Sequence, residues 1–338
     1  MISTGALVDR INNLATMVFG NASSESTVDG GYDPSPMDVF VVREMLSRAV
    51  RLPPDIVDVI FDYAEYWAHS TNYIDYLEER RIPMRVVGTS KSENRFLLRS
   101  VPIGLTTLDD RKNLAEGFSY DTNEAKPRPL KTEFDPVFFK KLANHPMPKL
   151  EHPVRKIVFT IKSRDQGFGG PRRRGPGPYD ASWTWFEAGL ERFDREQTCD
   201  PQCTADLRYN SPKSPAPSLP LCALRSVYPP IETSDKGEGE YKYHHSLAAN
   251  DKYLIQRNKT ANRDLQDNVV TWSRTDNVDP ESEEARELEA QGRGKASMTG
   301  EFVRSLKMGD VVSIWAKARF PAWVNHVEKI KVDIYWAV

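Results

Sequence analysis

Apolar positions along the chain follow two different periods. In "MDVFVVREMLSRAV" Val39, Val42, Met45, Leu46 and Ala49 fall on one helical face, and in "LPPDIVDVIFDYAEYWAHS" Ile56, Val57, Ile60, Phe61 and Ala64 do the same. Pro53 and Pro54 suit a first helical turn, where a missing N–H costs nothing. A third helix is expected near Asn72 to Arg80. Upstream, Leu7, Ile11, Leu14 and Val18 give a modest amphipathic helix, followed over 20–36 by a linker rich in turn formers. From His152 onward the period becomes two. Ile157, Phe159 and Ile161 alternate with Lys156, Val158, Thr160 and Lys162. Ile330, Val332, Ile334 and Trp336 alternate with Lys329, Lys331, Asp333 and Tyr335. "NVVTWSR" and "VVSIWAKARF" are similarly β-rich, and "LKMGDVV" places a Gly-Asp turn before a strand.

Alternation with one polar face marks antiparallel strands resting on a core, and no βαβ rhythm appears. The expected fold is α+β: a small helical module followed by an antiparallel β-sandwich. The domain reading is 1–36 for the amphipathic helix and linker, 37–82 for the helical module, 83–150 for a mixed connecting region and 151–338 for the sandwich. Residues 83–150 contribute a strand in "RFLLRSVPIGLTTL" and a short helix in "DPVFFKKLAN", capped by Asp135 with Pro136 in its first turn. Two insertions interrupt the sandwich: a proline-rich excursion over 199–245 and an acidic surface helix over 279–291, capped by Asp279 and contacting the core through Ala285, Leu288 and Ala290.

Composition narrows the function. The 338 residues carry a net charge of -2, so a global field for nucleic acid or anionic membrane is absent and binding must come from local patches. The three cysteines, Cys199, Cys203 and Cys222, form an odd set in a chain that starts without a secretory pattern. A reducing compartment, cytoplasmic or nuclear, is therefore expected. No run approaches the roughly 18 apolar residues of a membrane span.

Candidate chemistry is sparse. The stretch "VFTIKSRDQGFGGPRRRGPGPYDASWTWF" joins a glycine-rich turn to Arg172, Arg173 and Arg174. It lacks the Lys-Ser/Thr of a phosphate loop, the third glycine of a dinucleotide fingerprint, and a following helix. Between Glu151 and Pro178 seven basic residues stand against two acids, with Phe168 inside that span and Tyr179, Trp183 and Trp185 just after it; a solvated loop is the preferred reading over a nucleic-acid patch. Cys199 and Cys203, with Cys222, His244 and His245 further on, lack the paired ligand couples of a zinc site, so no metal or other cofactor is expected. His152 and His326 read as structural histidines, and no catalytic signature appears, so the chain reads as a non-enzyme. One group of residues fits a ligand site at the end of a sandwich: Asp165 and Gln166, Arg257 and Asn258, and Arg319, Trp323, Asn325 and His326. In the preferred reading of that group Trp323 covers the sandwich end and the polar groups satisfy loop backbone.

"LPPDIVDVIFDYAEYW" resembles the opening of an F-box, through Leu52, Pro53, Ile56, Val57 and Ile60. The wider arrangement is similar to a group of uncharacterised proteins of filamentous fungi, on "HPVRKIVFTIKSRDQGFGG", "SWTWFEAGLERFD", "LIQRNKTA", "VVTWS" and "GEFVRSLKMGDVVSIWAKARFPAWVNHVEKIKVDIYWAV". The F-box likeness implies docking of that helix to a Skp1-type adaptor, with the sandwich holding a substrate; the other reading of the same stripe has it packing against the sandwich or the helix at 37–50. The expected function is thus a non-catalytic binding or adaptor protein. The alternatives are a carbohydrate- or small-ligand-binding sandwich and a structural subunit of a larger assembly.

Overall fold

The computed structural model describes residues 33–49, 51–89, 91–106, 127–140, 146, 148–169, 177–196, 223–234 and 240–338. The amino-terminal amphipathic stretch, Arg172 to Arg174 and all three cysteines lie outside the described residues. The chain divides into two compact units, Met1–His69 with His145–Met147 and Val338, and Ser70–Asn144 with Pro148–Ala337.

In the first unit, α1 (Pro36–Ala49) opens on a reciprocal cap: Asp38 accepts from the Ser35 amide at 3.0 Å, while Ser35 Oγ accepts from the Asp38 amide at 3.2 Å. Helix α2 (Pro54–Ala64) has proline in its first turn and stops at Glu65, whose φ of 48° is left-handed. Arg43 joins the two helices, pairing with Asp58 and lying 5.2 Å from the Phe61 ring centroid. Trp67 donates to Asp62 at 3.0 Å just beyond α2.

The second unit is a two-sheet antiparallel sandwich, the α+β fold expected from the alternation. Its first sheet joins β1 (Ala68–Asp75), β12 (Val324–Trp336), β4 (Val154–Arg164) and β10 (Gln266–Ser273) in that order, with β2 (Met84–Val87) also on β12. The second joins β3 (Asn94–Arg99), β11 (Val311–Ala318), β5 (Thr184–Phe193) and β6 (Leu224–Tyr228), with β9 (Leu254–Arg257) also on β5. A hairpin of β7 (Ile231–Thr233) and β8 (Tyr241–Tyr243) stands apart. Ile157, Phe159 and Ile161 lie opposite Ile334, Val332 and Ile330, and all six are fully buried. Each such apolar side chain withdrawn from water contributes about 1.5–3 kcal/mol.

Three local expectations change. The stretch Asn72 to Arg80 is a strand to Asp75, then the short helix α3 (Tyr76–Arg80), whose amides at Leu77 and Glu78 the Asp75 carboxylate caps. Alternate burial of Ser70, Asn72 and Ile74 shows period two prevailing over helical spacing. With β1, β2 and β3 in the two sheets, β-structure begins at Ala68, well before residue 151. The acidic helix α5 (Glu283–Ala290) starts later than expected because Ser282, not Asp279, caps it, accepting from the Ala285 amide at 3.2 Å. Ala285 and Leu288 are buried there with Val278, while Ala290 is exposed. The helix α4 (Pro136–Lys140) is as expected, its Val137 amide bonded to Asp135. Part of the proline-rich excursion is regular: β6, β7 and β8 come from it, and β6 extends the second sheet.

Candidate functional site

The last paired step between β11 and β5 sets Val311 against Glu191, and Asp310 and Arg192 follow immediately beyond it. They meet there. Arg192 donates from Nε to Asp310 Oδ1 at 2.9 Å and from Nη2 to Oδ2 at 3.3 Å. Its Nη1 reaches Glu133 at 2.8 Å, and Lys307 Nζ holds the other Glu133 oxygen at 3.2 Å. Asp310 is presented by the turn Lys307–Asp310, closed by its amide on the Lys307 carbonyl, and its carboxylate accepts from the Lys307 amide. Gly309 permits this turn: its φ is 87°, and an added Cβ would sit 2.2 Å from the Phe139 ring.

Glu133 arrives from a separate strap. Phe134 donates its amide to the Phe193 carbonyl, and Asp194 accepts the amides of Lys131 and Thr132, pinning the strap along the end of β5. The strap continues into α4, where Phe134, Phe138 and Phe139 pack with Phe193 at centroid separations of 4.5 to 5.5 Å between neighbours. Together these groups line a small open cleft of about 80 Å³, with Phe134 and Pro136 half-buried beside it and Phe139 and Phe193 buried behind them. Burial pushes the Asp310 carboxyl up to about 6, against the pull of Arg192. Burial also opposes the Glu133 charge, but the Lys307 and Arg192 contacts hold its pKa below the ordinary value.

The residues expected to form a ligand site lie at the opposite end of β5 and β11. Several of them do converge. Asn258 Nδ2 donates to Thr184 Oγ1 and to Asn325 Oδ1, both at 3.0 Å, while its Oδ1 accepts from Ser163 at 2.7 Å. Asn325 Nδ2 reaches the carbonyls of Trp185 and Lys317. Asp165 accepts from the amides of Gly167, Ala261 and Asn262. Gln166 accepts from the Val324 amide at 3.4 Å and donates to the Phe168 carbonyl at 2.9 Å. Arg257 reaches the Ser182 carbonyl. Arg319 bonds Asn94 and the Ser246 carbonyl, with its guanidinium 5.1 Å from the Trp185 ring. Trp323 is buried. His326 stands between Arg85 and Arg164 on the flanking strands, and burial with these cations lowers its pKa to about 4. The described residues thus form a closed joint in which loop backbone and side chains satisfy one another. Asn258 also heads a glycosylation sequon, but its amide is buried and donating.

A third polar region went unread in the sequence. On the outer face of the second sheet, Lys317 Nζ pairs with Glu187 at 2.6 Å, and Arg99 pairs with Glu191. All four are buried. Trp185 Nε1 and Tyr228 OH also donate to Glu187, at 2.7 and 2.9 Å. Tyr243 and His245, from β8 and just after it, lie 5.2 and 5.1 Å from the Trp315 ring, and Tyr253 stacks on Tyr228. Burial, with Lys317 and Arg319 nearby, lowers the His245 pKa to about 2, and burial likewise lowers that of Lys317. This face is a packed ionic layer. His152, the other histidine singled out, shares a hydrogen bond with the Leu306 carbonyl at 3.1 Å.

On α2, Val57 and Ile60 are 0% and 3% exposed, so they present nothing to a partner. Leu52 and Ile56 are half-buried and Pro53 is exposed. The apolar side chains open to solvent are instead Met37, Val41 and Met45 on α1, and Val59 and Tyr63 on α2. Among the described residues no helix is long and apolar enough to cross a membrane. Comparison with protein-family models, curated proteins and solved structures finds no match.

Proposed function

We propose that the chain is a non-catalytic binding protein that takes a small ligand into the cleft lined by Glu133, Arg192, Lys307 and Asp310. The observation that carries this reading is the contrast in hydrogen-bonding capacity. At the cleft, Lys307 uses one of the three N–H groups of its ammonium on Glu133, and an aromatic wall stands beside it. A concave apolar wall with a few convergent polar groups is the usual form of a small-molecule site. A ligand-observed NMR screen of small polar fragments tests it. Hits are expected to vanish with Lys307→Met and to persist with Gln166→Ala, at the opposite end. A screen without hits, or hits indifferent to Lys307→Met, refutes it.

A second reading, docking of a protein partner such as a Skp1-type adaptor, draws support from the helical unit. Met45 and Tyr63 are 61% and 68% exposed. In that reading the contact is made by Met37, Val41, Met45, Val59 and Tyr63 rather than by Val57 and Ile60. Capture of a purified Skp1-type protein, abolished by Met45→Asp with Tyr63→Asp, is the expected result; no capture at micromolar concentration rejects it.

A further inference from the structure

The cleft's charges are matched among themselves. Asp310 and Glu133 occupy three N–H groups of Arg192, and Glu133 also receives Lys307. A phosphate or carboxylate entering here competes with Glu133 for Arg192 and Lys307, and an ammonium competes with those cations for Glu133 and Asp310. Either competition weakens the counter-charge of a partly desolvated ion, which is costly. A neutral ligand leaves every pair intact. It can still draw on the remaining hydrogen-bonding capacity, because a guanidinium carries five N–H groups, an ammonium three, and each carboxylate about four lone-pair positions.

These groups sit beside the half-buried Phe134 and Pro136, with Phe139 buried behind them. Vicinal hydroxyls match the two oxygens of a carboxylate or two N–H groups of a guanidinium, while the C–H face of a saturated ring lies against an aromatic one. The cleft is open and only about 80 Å³, so it takes part of one such ring and leaves the rest in solvent. We infer that the ligand is a single uncharged polyhydroxylated ring, the terminal residue of a carbohydrate, seated with its C–H face on Phe134 and its hydroxyls on Glu133, Arg192 and Lys307. The inference rests on the cleft being the binding site.

The test is saturation-transfer NMR on the full chain with the methyl glycosides of glucose, galactose, mannose, xylose, fucose and N-acetylglucosamine. Glucuronic acid, L-phenylalanine and phenyl phosphate serve as charged probes. At least one neutral glycoside is expected to bind, with an affinity that changes less than about twofold between low and high salt. Phe134→Ala and Lys307→Met should each weaken it about tenfold or more while leaving the melting temperature within about 4 °C. If Phe134→Ala fails to fold, Phe134→Leu keeps the test, since it retains bulk and removes the ring face. Binding of charged probes alone, salt-sensitive and lost with Lys307→Met, overturns the ligand class and leaves the cleft as the site. No binding by any probe, or binding indifferent to both substitutions, overturns both.

Discussion

The two ends of the sandwich use the same residue types to opposite effect. At the Asn258–Asn325 end, amide and carboxylate groups are turned inward and bonded to backbone or to each other, so the strand ends and loops are locked. At the Asp310–Arg192 end, one ion pair is buried but its extension through Glu133 and Lys307 opens into a cleft. Polar side chains at a strand end are therefore not a site in themselves. What distinguishes a site is hydrogen-bonding capacity left over beside a surface a ligand can cover.

The largest expected effect separates the buried part of the open end from its rim. Arg192→Met strands the Asp310 carboxylate and should cost about 3–5 kcal/mol in urea unfolding. Adding Asp310→Leu should restore most of that stability without restoring ligand binding. At the closed end, Asn258→Ala leaves Ser163 and Asn325 short of partners and should cost about 1–3 kcal/mol, with ligand affinity unchanged. Lys307→Met should do the reverse: stability within about 1 kcal/mol of the parent, because its ion pair is partly exposed, and affinity lost. If Asn258→Ala weakened binding as strongly as Lys307→Met, the two ends would not be functionally distinct.

The smallest effect is in pH dependence, where the ends have opposite signs. The folded state holds His326 neutral to about pH 4, whereas the unfolded chain protonates it near its ordinary value, so acidification between these values lowers stability. Asp310 takes its proton near pH 6 when folded and lower when unfolded, so it raises stability over the same fall in pH. Relative to the parent, His326→Gln should tilt the stability profile toward acid and Asp310→Asn toward neutral pH, read by urea unfolding between about pH 4 and pH 7.

The sequence disclosed those elements in which one face alone is buried. Strand β12 is legible because Ile330 to Trp336 alternate with lysines and Tyr335 facing outward, and Asp333 is the one member of that set which is buried. Strand β5 is harder to read, since Trp185, Glu187 and Glu191 are buried as completely as Phe186 and Ala188. Nothing local shows that Glu187 will meet Lys317 beneath Tyr228. The convergence of Asn258, Asn325 and Asp165 was legible from loop position, but their mutual satisfaction was not, because it depends on hydrogen bonds between distant segments. The cleft was least legible of all. It joins Glu133, Arg192 and the Lys307–Asp310 turn, three segments with no shared motif, and its only local signals were the Gly-Asp turn and the aromatic run after Asp135. On α2, helical spacing correctly grouped Val57 with Ile60, yet an apolar stripe is the same whether it faces a partner or is buried in its own protein.

The most direct measurement is a map of backbone amide shifts in the ¹⁵N-labelled chain on titration with the tightest neutral glycoside. Shifts concentrated at Glu133 to Phe139, Arg192 to Asp194 and Lys307 to Val311 are the predicted result. Shifts centred on Asp165, Asn258 and Trp323, or none at saturating ligand, would contradict it.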